Sequence, residues 1–328
     1  MTKGQINILS WTLVAAFTVV TLVLNLVPGA LPPLVGVMLV TLLPFAFFFI
    51  HGSVNYRFRD VLVFAAITLV VSNIFENTSI LTGFPFGHYY YADGLGPKLF
   101  LVPILIGPAY LGTGYLSWTL ARVILGATEQ RLPGRFIFTV PVLASFLMVS
   151  WDLSFDPINS TIGHLWIWQD GGNYFGVPFS NFMGWFLTVF VFFQLFALYL
   201  RGRQNAYAQV PQVQAMSREY WLQAVAFYGV IALRTPLSIL TQTTNATIAD
   251  PAGVLWRTQD IYLVCGLVWI FTMISFTVLS LTKIAELPSA VRNRVVSNPV
   301  EQVRSELEGD PNPVVVQRVE AQRSLPMR

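Results

Sequence analysis

Two carboxylates stand four residues apart in the stretch Ser150-Trp151-Asp152-Leu153-Ser154-Phe155-Asp156-Pro157, which closes the apolar run 136–149. On a continuous helix this spacing puts both acids on one face, with Cβ atoms about 5–6 Å apart. Pro157 disfavours helix at the residue before it, so the competing expectation is that Asp156 already turns away. A third acid, Glu76, ends another apolar run, 60–75. Acids grouped in this way can divide proton work, one giving a proton while another takes one. Ionisable groups at membrane depth are costly and usually face a protein interior. Asp152, Asp156 and Glu76 are therefore the candidate catalytic residues. Arg234 and Lys98 are the candidate charge-balancing cations, Arg234 more as a counter-ion than as a catalyst. The competing reading makes the three acids helix-end charges satisfied by water or by these two cations.

The rest of the chain must hold these acids in a bilayer. It has 328 residues, 55% hydrophobic and only 11% charged, with a mean hydropathy of +0.62. A soluble domain carries about 25% charged residues, so this is a polytopic membrane protein. Its one cysteine, Cys265, excludes an intrachain disulfide and a multi-cysteine metal site. The net charge of +3 is small and the basic residues sit at span ends, which gives nucleic-acid binding no support. His88 and His164 lack a tight ligand motif, so a metal site has little support either. The apolar N-terminal run is not followed by a small-residue cleavage site and reads as an uncleaved first span.

Eight spans are expected, at 8–27, 34–50, 60–75, 99–120, 136–151, 182–200, 220–240 and 261–281. Each is near the ~20 residues that a bilayer core requires. The fold class is an all-α, polytopic transmembrane helical bundle. Basic residues gather on alternate connections: Lys3, Arg57 and Arg59, Arg122, Arg131 and Arg135, Arg201, Arg203 and Arg218, then Lys283, Arg292 and Arg294. The positive-inside rule then makes both termini cytoplasmic, and the expected location is the cell membrane. Residues 1–283 form the transmembrane catalytic domain, and 284–328 a polar, disordered or loosely helical cytoplasmic tail. At 1.5 Å rise per residue, Glu76, Asp152 and Arg234 each lie roughly 25 Å up their helices from a cytoplasmic arginine. They are expected at one level, near the outer edge of the hydrocarbon.

Two connections on that outer side are rich in glycine and aromatics and poor in charge. One runs from Phe75 to Tyr91, the other from Asp152 to Asn181. Such sequences suit re-entrant or interfacial lids better than free solvent loops. Tyr89, Tyr90 and Tyr91 are either an interfacial belt or a wall for a substrate.

These two connections carry a family resemblance. Phe75-Glu76-Asn77-Thr78-Ser79, Gly83-Phe84-Pro85-Phe86-Gly87 with Tyr89, and Leu95-Gly96-Pro97-Lys98-Leu99-Phe100 resemble the first block of the membrane-bound carotenoid biosynthesis family. Trp151-Asp152-Leu153, Phe155-Asp156-Pro157, Trp166 with Trp168, and Tyr174-Phe175-Gly176-Val177-Pro178 with Asn181 resemble its second block. That family includes γ-carotene 1′-hydratases and bisanhydrobacterioruberin hydratases. The resemblance covers about residues 60–285. It implies addition of water across the terminal C-1,C-2 double bond of an acyclic carotenoid end group, without a redox cofactor. The implied partners are a γ-carotene, lycopene or bisanhydrobacterioruberin-like polyene, water and membrane lipid. The substrate-binding residues expected on this basis are Asn77, His88, Tyr90, Tyr91, Trp151, Phe155, Tyr174 and Asn181.

The residue chemistry agrees with that implication. Hydrating a trisubstituted alkene needs a strong acid for the less substituted carbon and a base for the attacking water. A carboxyl in an apolar pocket can stay protonated at neutral pH, and aromatic faces stabilise a cation. Asp152 is expected as the acid, Asp156 as base or water-holder, and Glu76 as partner in either role. A proton- or cation-coupled transporter also places acids in spans. It would usually show inverted repeats and broken midplane helices; no repeat is visible, and the acids are at one edge.

Overall fold

The computed structural model describes residues 2–27, 29–129, 132, 134–203, 216–241 and 245–287. Arg131, most of the connection between Arg203 and Arg218, and the tail from 288 onward, with Arg292 and Arg294, lie outside these residues. The helices are α1 (Lys3–Leu26), α2 (Pro33–Asn55), α3 (Phe58–Thr82), α4 (Ile106–Leu125), α5 (Phe136–Pro157), α6 (Phe179–Gly202), α7 (Arg218–Thr241) and α8 (Thr258–Glu286). The last contains a π turn at Ile270–Ile274. Seven of these helices are long and apolar enough to cross a membrane. The chain is a multi-pass, all-α membrane protein.

The seven close a ring in the order α1, α2, α3, α6, α5, α8, α7 and back to α1, with α4 inside. The central helix is the one that falls short as an apolar span, and its position explains why. A helix that faces protein all round can carry small and polar residues, and α4 buries Gly112, Gly114, Ser117, Thr119 and Arg122. Arg122 is satisfied inside the protein. It donates to the carbonyls of Ala127 (3.0 Å) and Glu129 (2.5 Å) and to the Tyr56 hydroxyl (2.5 Å). It is thus a structural cation and not a free loop charge. Gly112 brings α4 against Pro44 of α2, where a Cβ would stand only 2.8 Å from the Pro44 Cβ.

The fourth span starts later than its hydropathy suggests. Residues 98–103 form a short hairpin, β2 (Lys98–Leu99) against β3 (Val102–Pro103), and the helix begins at Ile106. Pro108 then falls in the first turn of α4, where a backbone N–H has no intrahelical partner to lose.

The two aromatic connections are not separate lids. Tyr89–Tyr91 (β1) pairs antiparallel with Trp166–Trp168 (β4), so one two-stranded ribbon ties them together over the α3 and α5 ends. A second hairpin, β5 (Thr247–Ala249) with β6 (Leu255–Arg257), joins α7 to α8. After β4 the chain makes a tight loop in which Tyr174 and Val177 exchange backbone hydrogen bonds of 3.2 and 3.0 Å, and then enters α6. Gly172 lies against this loop: a Cβ there would sit 2.1 Å from the Val177 carbonyl carbon and 2.3 Å from the Pro178 nitrogen. Backbone atoms cannot swing aside as a side chain can. Gly172→Ala is therefore expected to lower stability by about 1–3 kcal/mol, the usual cost of overpacking. A thermal melt in detergent checks this, and an unchanged midpoint would refute it.

Candidate active site

Alternation along a strand decides which ribbon residues reach the helices below. Tyr89 and Tyr91 are buried, whereas Tyr90 between them is 49% exposed. Across the ribbon Tyr89 pairs with Trp168 and Tyr91 with Trp166, so all four rings share one face. Each strand anchors one acid. The Tyr89 and Tyr91 hydroxyls both donate to Glu76 Oε2, the latter at 2.9 Å. The Trp166 and Trp168 indoles both donate to Asp156 Oδ1, at 2.7 and 3.1 Å. Tyr110 of α4 completes the first set by donating to Glu76 Oε1 at 2.7 Å. Burial first, and then the Glu76 charge, hold the Tyr89 and Tyr91 hydroxyls well above the ordinary phenol range. They remain protonated donors.

The α5 helix continues through Asp156 to Pro157, so the expectation that Asp156 turns away is corrected. Beyond Pro157 the chain widens into a π turn over Ile158–Ile162, a register change that accommodates the ring without breaking the helix. The two acids consequently share a face. A single amide bridges them: Asn181 Nδ2, in the first turn of α6, donates to Asp152 Oδ2 at 2.9 Å and to Asp156 Oδ2 at 2.7 Å. Asp156 thus accepts from three N–H groups, while Asp152 accepts one of these bonds. Ser154, between them in sequence, faces another way and bonds the Cys265 carbonyl of α8 at 3.0 Å.

Glu76, Asp152 and Asp156 line one cavity of about 310 Å³. Its walls divide by element. The ribbon, α5 and α6 give aromatic surface: Tyr89, Tyr91, Trp151, Phe155, Trp166, Trp168 and Trp185. Trp185 stacks on Tyr110 at 4.7 Å between centroids, and Trp151 on Phe155 at 4.2 Å. The other walls are apolar residues of α1, α2 and α4, among them Phe17, Leu24, Val37, Val40 and Ile106. The arrangement is an acid cluster with an aromatic surround, continuous with a greasy channel between membrane helices. It can exchange protons with a long apolar ligand and shelter a cation.

Of the residues expected to bind substrate, Tyr91, Trp151, Phe155 and Asn181 line this cavity, and Asn77, His88, Tyr90 and Tyr174 do not. Asn77 turns back to the Asn73 carbonyl (2.7 Å) and accepts from the Leu101 amide (3.1 Å), tying α3 to the β2–β3 hairpin. His88 pairs with Asp170 at 2.9 Å at the surface, and Tyr90 points outward by strand alternation. Tyr174 packs its ring on Phe182 at 5.4 Å. The cations are also placed differently. Lys98 donates to the Tyr91 carbonyl (2.9 Å) and pairs with exposed Asp93 (3.3 Å). Arg234 does line the cavity, with its guanidinium 6.0 Å from the Phe155 ring centroid. Among the described residues no ion pair joins either cation to the three acids. Neutral N–H and O–H donors satisfy the acids instead.

Tyr110, Trp166, Trp168 and Trp185 join the site without having been expected there, and Tyr89, expected as belt or substrate wall, lines the cavity. A period-of-two reading of Trp166-Ile167-Trp168 carries the signal for the two indoles, whereas only the register shows that Tyr89 and Tyr91, and not Tyr90, face the site. Tyr110 and Trp185 have no such local signal.

The carotenoid biosynthesis protein family matches residues 34–249, more than half of the chain and a range that contains every polar group of this site. A bisanhydrobacterioruberin hydratase of Haloarcula japonica is 32% identical over 135 residues, which covers 40% of this chain and 42% of that protein. No solved structure matches this chain. On the extent of the family match, the chain belongs to the carotenoid biosynthesis protein family.

Proposed function

We propose that this protein is a carotenoid hydratase, a hydro-lyase that adds water across the terminal C-1,C-2 double bond of an acyclic carotenoid end group. The observation that carries the reading is the cavity itself: three buried acids, held by neutral donors and surrounded by aromatic rings, open to apolar helix surfaces. Family membership and the hydratase relative support a carotenoid as the ligand and hydration as the reaction.

Asp152 gives its proton to C-2, the carbon that bears a hydrogen. The positive charge falls on C-1, which carries two methyl groups. Rings such as Trp151, Trp185 and Phe155 line the cavity around it and stabilise it by their π faces. Water adds to C-1, and Asp156, fixed by Trp166, Trp168 and Asn181, takes the proton that this water loses. One proton is given and one returned, so transfer from Asp156 back to Asp152 closes the cycle. The product is a tertiary alcohol, and the balance requires only polyene and water. Glu76 adds negative charge across the cavity.

In ¹⁸O-water, membranes containing the protein and an acyclic-ended carotenoid are expected to give an alcohol with one labelled oxygen, without dioxygen or reductant. Label taken from ¹⁸O₂ would overturn the reading. The proposed setting is the cell membrane with both termini cytoplasmic and the ribbon outside, on the asymmetry of the basic residues. His88→Cys should then react with an impermeant thiol reagent from outside the cell; reaction only from the cytoplasm would reverse the orientation.

A further inference from the structure

Hydration brings together two reactants that travel separately: a polyene from the lipid and a water molecule from outside it. The cavity walls of α1, α2 and α4 suit the polyene and offer water little. A second hollow, of about 240 Å³, lies on the far side of the aromatic ribbon, lined by Ser160, Thr161, His164, Trp168, Gly176 and Asp250 among others. Trp168 is the residue that lines both hollows. The π turn separates them elsewhere, with Asn159 on the acid cavity and the next two residues, Ser160 and Thr161, on the second hollow. The hollow therefore stands one indole and one turn of backbone from Asp156.

Its floor carries two hydroxyls and a carboxylate, groups that can also hold water. Ser160 and Thr161 hydroxyls lie 3.4 Å apart, and Ser160 Oγ also donates to the Asp156 carbonyl at 2.8 Å. Thr161 Oγ1 bonds the Phe175 carbonyl at 2.5 Å, and Asp250 accepts from the Val254 amide and the Trp256 indole, both at 2.9 Å. The floor is fixed and polar, while the rim residues His164, Ala249 and Pro251 are exposed. The Trp168 indole N–H holds Asp156 Oδ1, so movement of this one ring both opens the partition and frees a lone pair on the acid that receives water's proton.

We infer that the hollow floored by Ser160, Thr161 and Asp250 is the water port of the acid cavity, with Trp168 as its partition. This rests on the hydratase reading. The test uses the full chain in detergent with Cys265→Ala, which removes the buried native thiol, and Ala249→Cys on the rim. One preparation is assayed before and after complete reaction with a bulky, charged methanethiosulfonate, with extent followed by mass. The expected result is loss of most of the turnover, an unchanged KM for the carotenoid, and recovery on reduction. A small methylthio adduct at the same position should cost far less. Complete modification with unchanged turnover would overturn the port. A raised KM at constant kcat would also overturn it, because the hollow would then belong to the polyene path. If the unmodified preparation forms no alcohol from labelled water, the hydratase reading fails, and that failure is visible before any reagent is added.

Discussion

Asp152→Asn is expected to lower turnover by about 10²–10⁴-fold, the range typical of a lost general acid, while the folded protein keeps nearly its normal thermal midpoint. The reason lies in the count of hydrogen bonds. Asp152 accepts one bond from Asn181, and an asparagine can still turn its oxygen to that donor. Asp156→Asn should be equally poor in turnover but also less stable. Both Asp156 oxygens face N–H donors, Oδ1 two indoles and Oδ2 the Asn181 amide. Either orientation of a new amide sets N–H against N–H, and an unsatisfied buried donor costs about 1–3 kcal/mol. Turnover measured with the amount of folded protein, for both variants, checks the pair. Normal turnover in Asp152→Asn would remove it as the acid. Equal midpoints in the two variants would mean that the hydrogen bonds around Asp156 do not hold it as described.

Glu76→Gln is expected to lower kcat by about 10²–10³-fold, as for removal of a group that stabilises developing charge, with little change in stability. Three hydroxyls surround this acid, and a tyrosine hydroxyl can turn to accept as well as donate, so a glutamine can be satisfied where an asparagine at 156 cannot. Two roles are separated by this substitution. If Glu76 only fastens the ribbon, glutamine should restore both midpoint and turnover relative to Glu76→Ala. If its negative charge faces the cation, glutamine should restore the midpoint alone. Tyr89→Phe and Tyr91→Phe singly should be milder in kcat, since each leaves the carboxylate and two other donors in place. A Glu76→Gln enzyme with normal kcat would leave the acid as a structural peg.

Much of this protein was legible along the chain because a bilayer imposes a simple rule: each span needs about 20 apolar residues. The apolar runs therefore mark seven ring helices directly. They mark α4 less well, since a helix surrounded by other helices is released from that rule, and its start was masked by the hairpin at 98–103. The acids also stood out, because ionisable residues at such depth are rare, and the i, i+4 spacing of Asp152 and Asp156 fixes their common face once the helix is continuous.

What each acid touches was decided only in three dimensions. Opposite charges were the natural partners to expect, yet the donors are indoles, phenols and an amide from the ribbon, α4 and α6. The reason is the pairing of β1 with β4, which joins segments more than 70 residues apart in sequence. Strand register sends Tyr89 and Tyr91 inward and Tyr90 outward, a choice that three identical side chains in a row cannot display. Composition and periodicity thus determine the bundle and the acid pair. Register and helix packing determine which neutral groups hold the acids, where Arg234 stands apart from them, and that Trp168 separates two cavities.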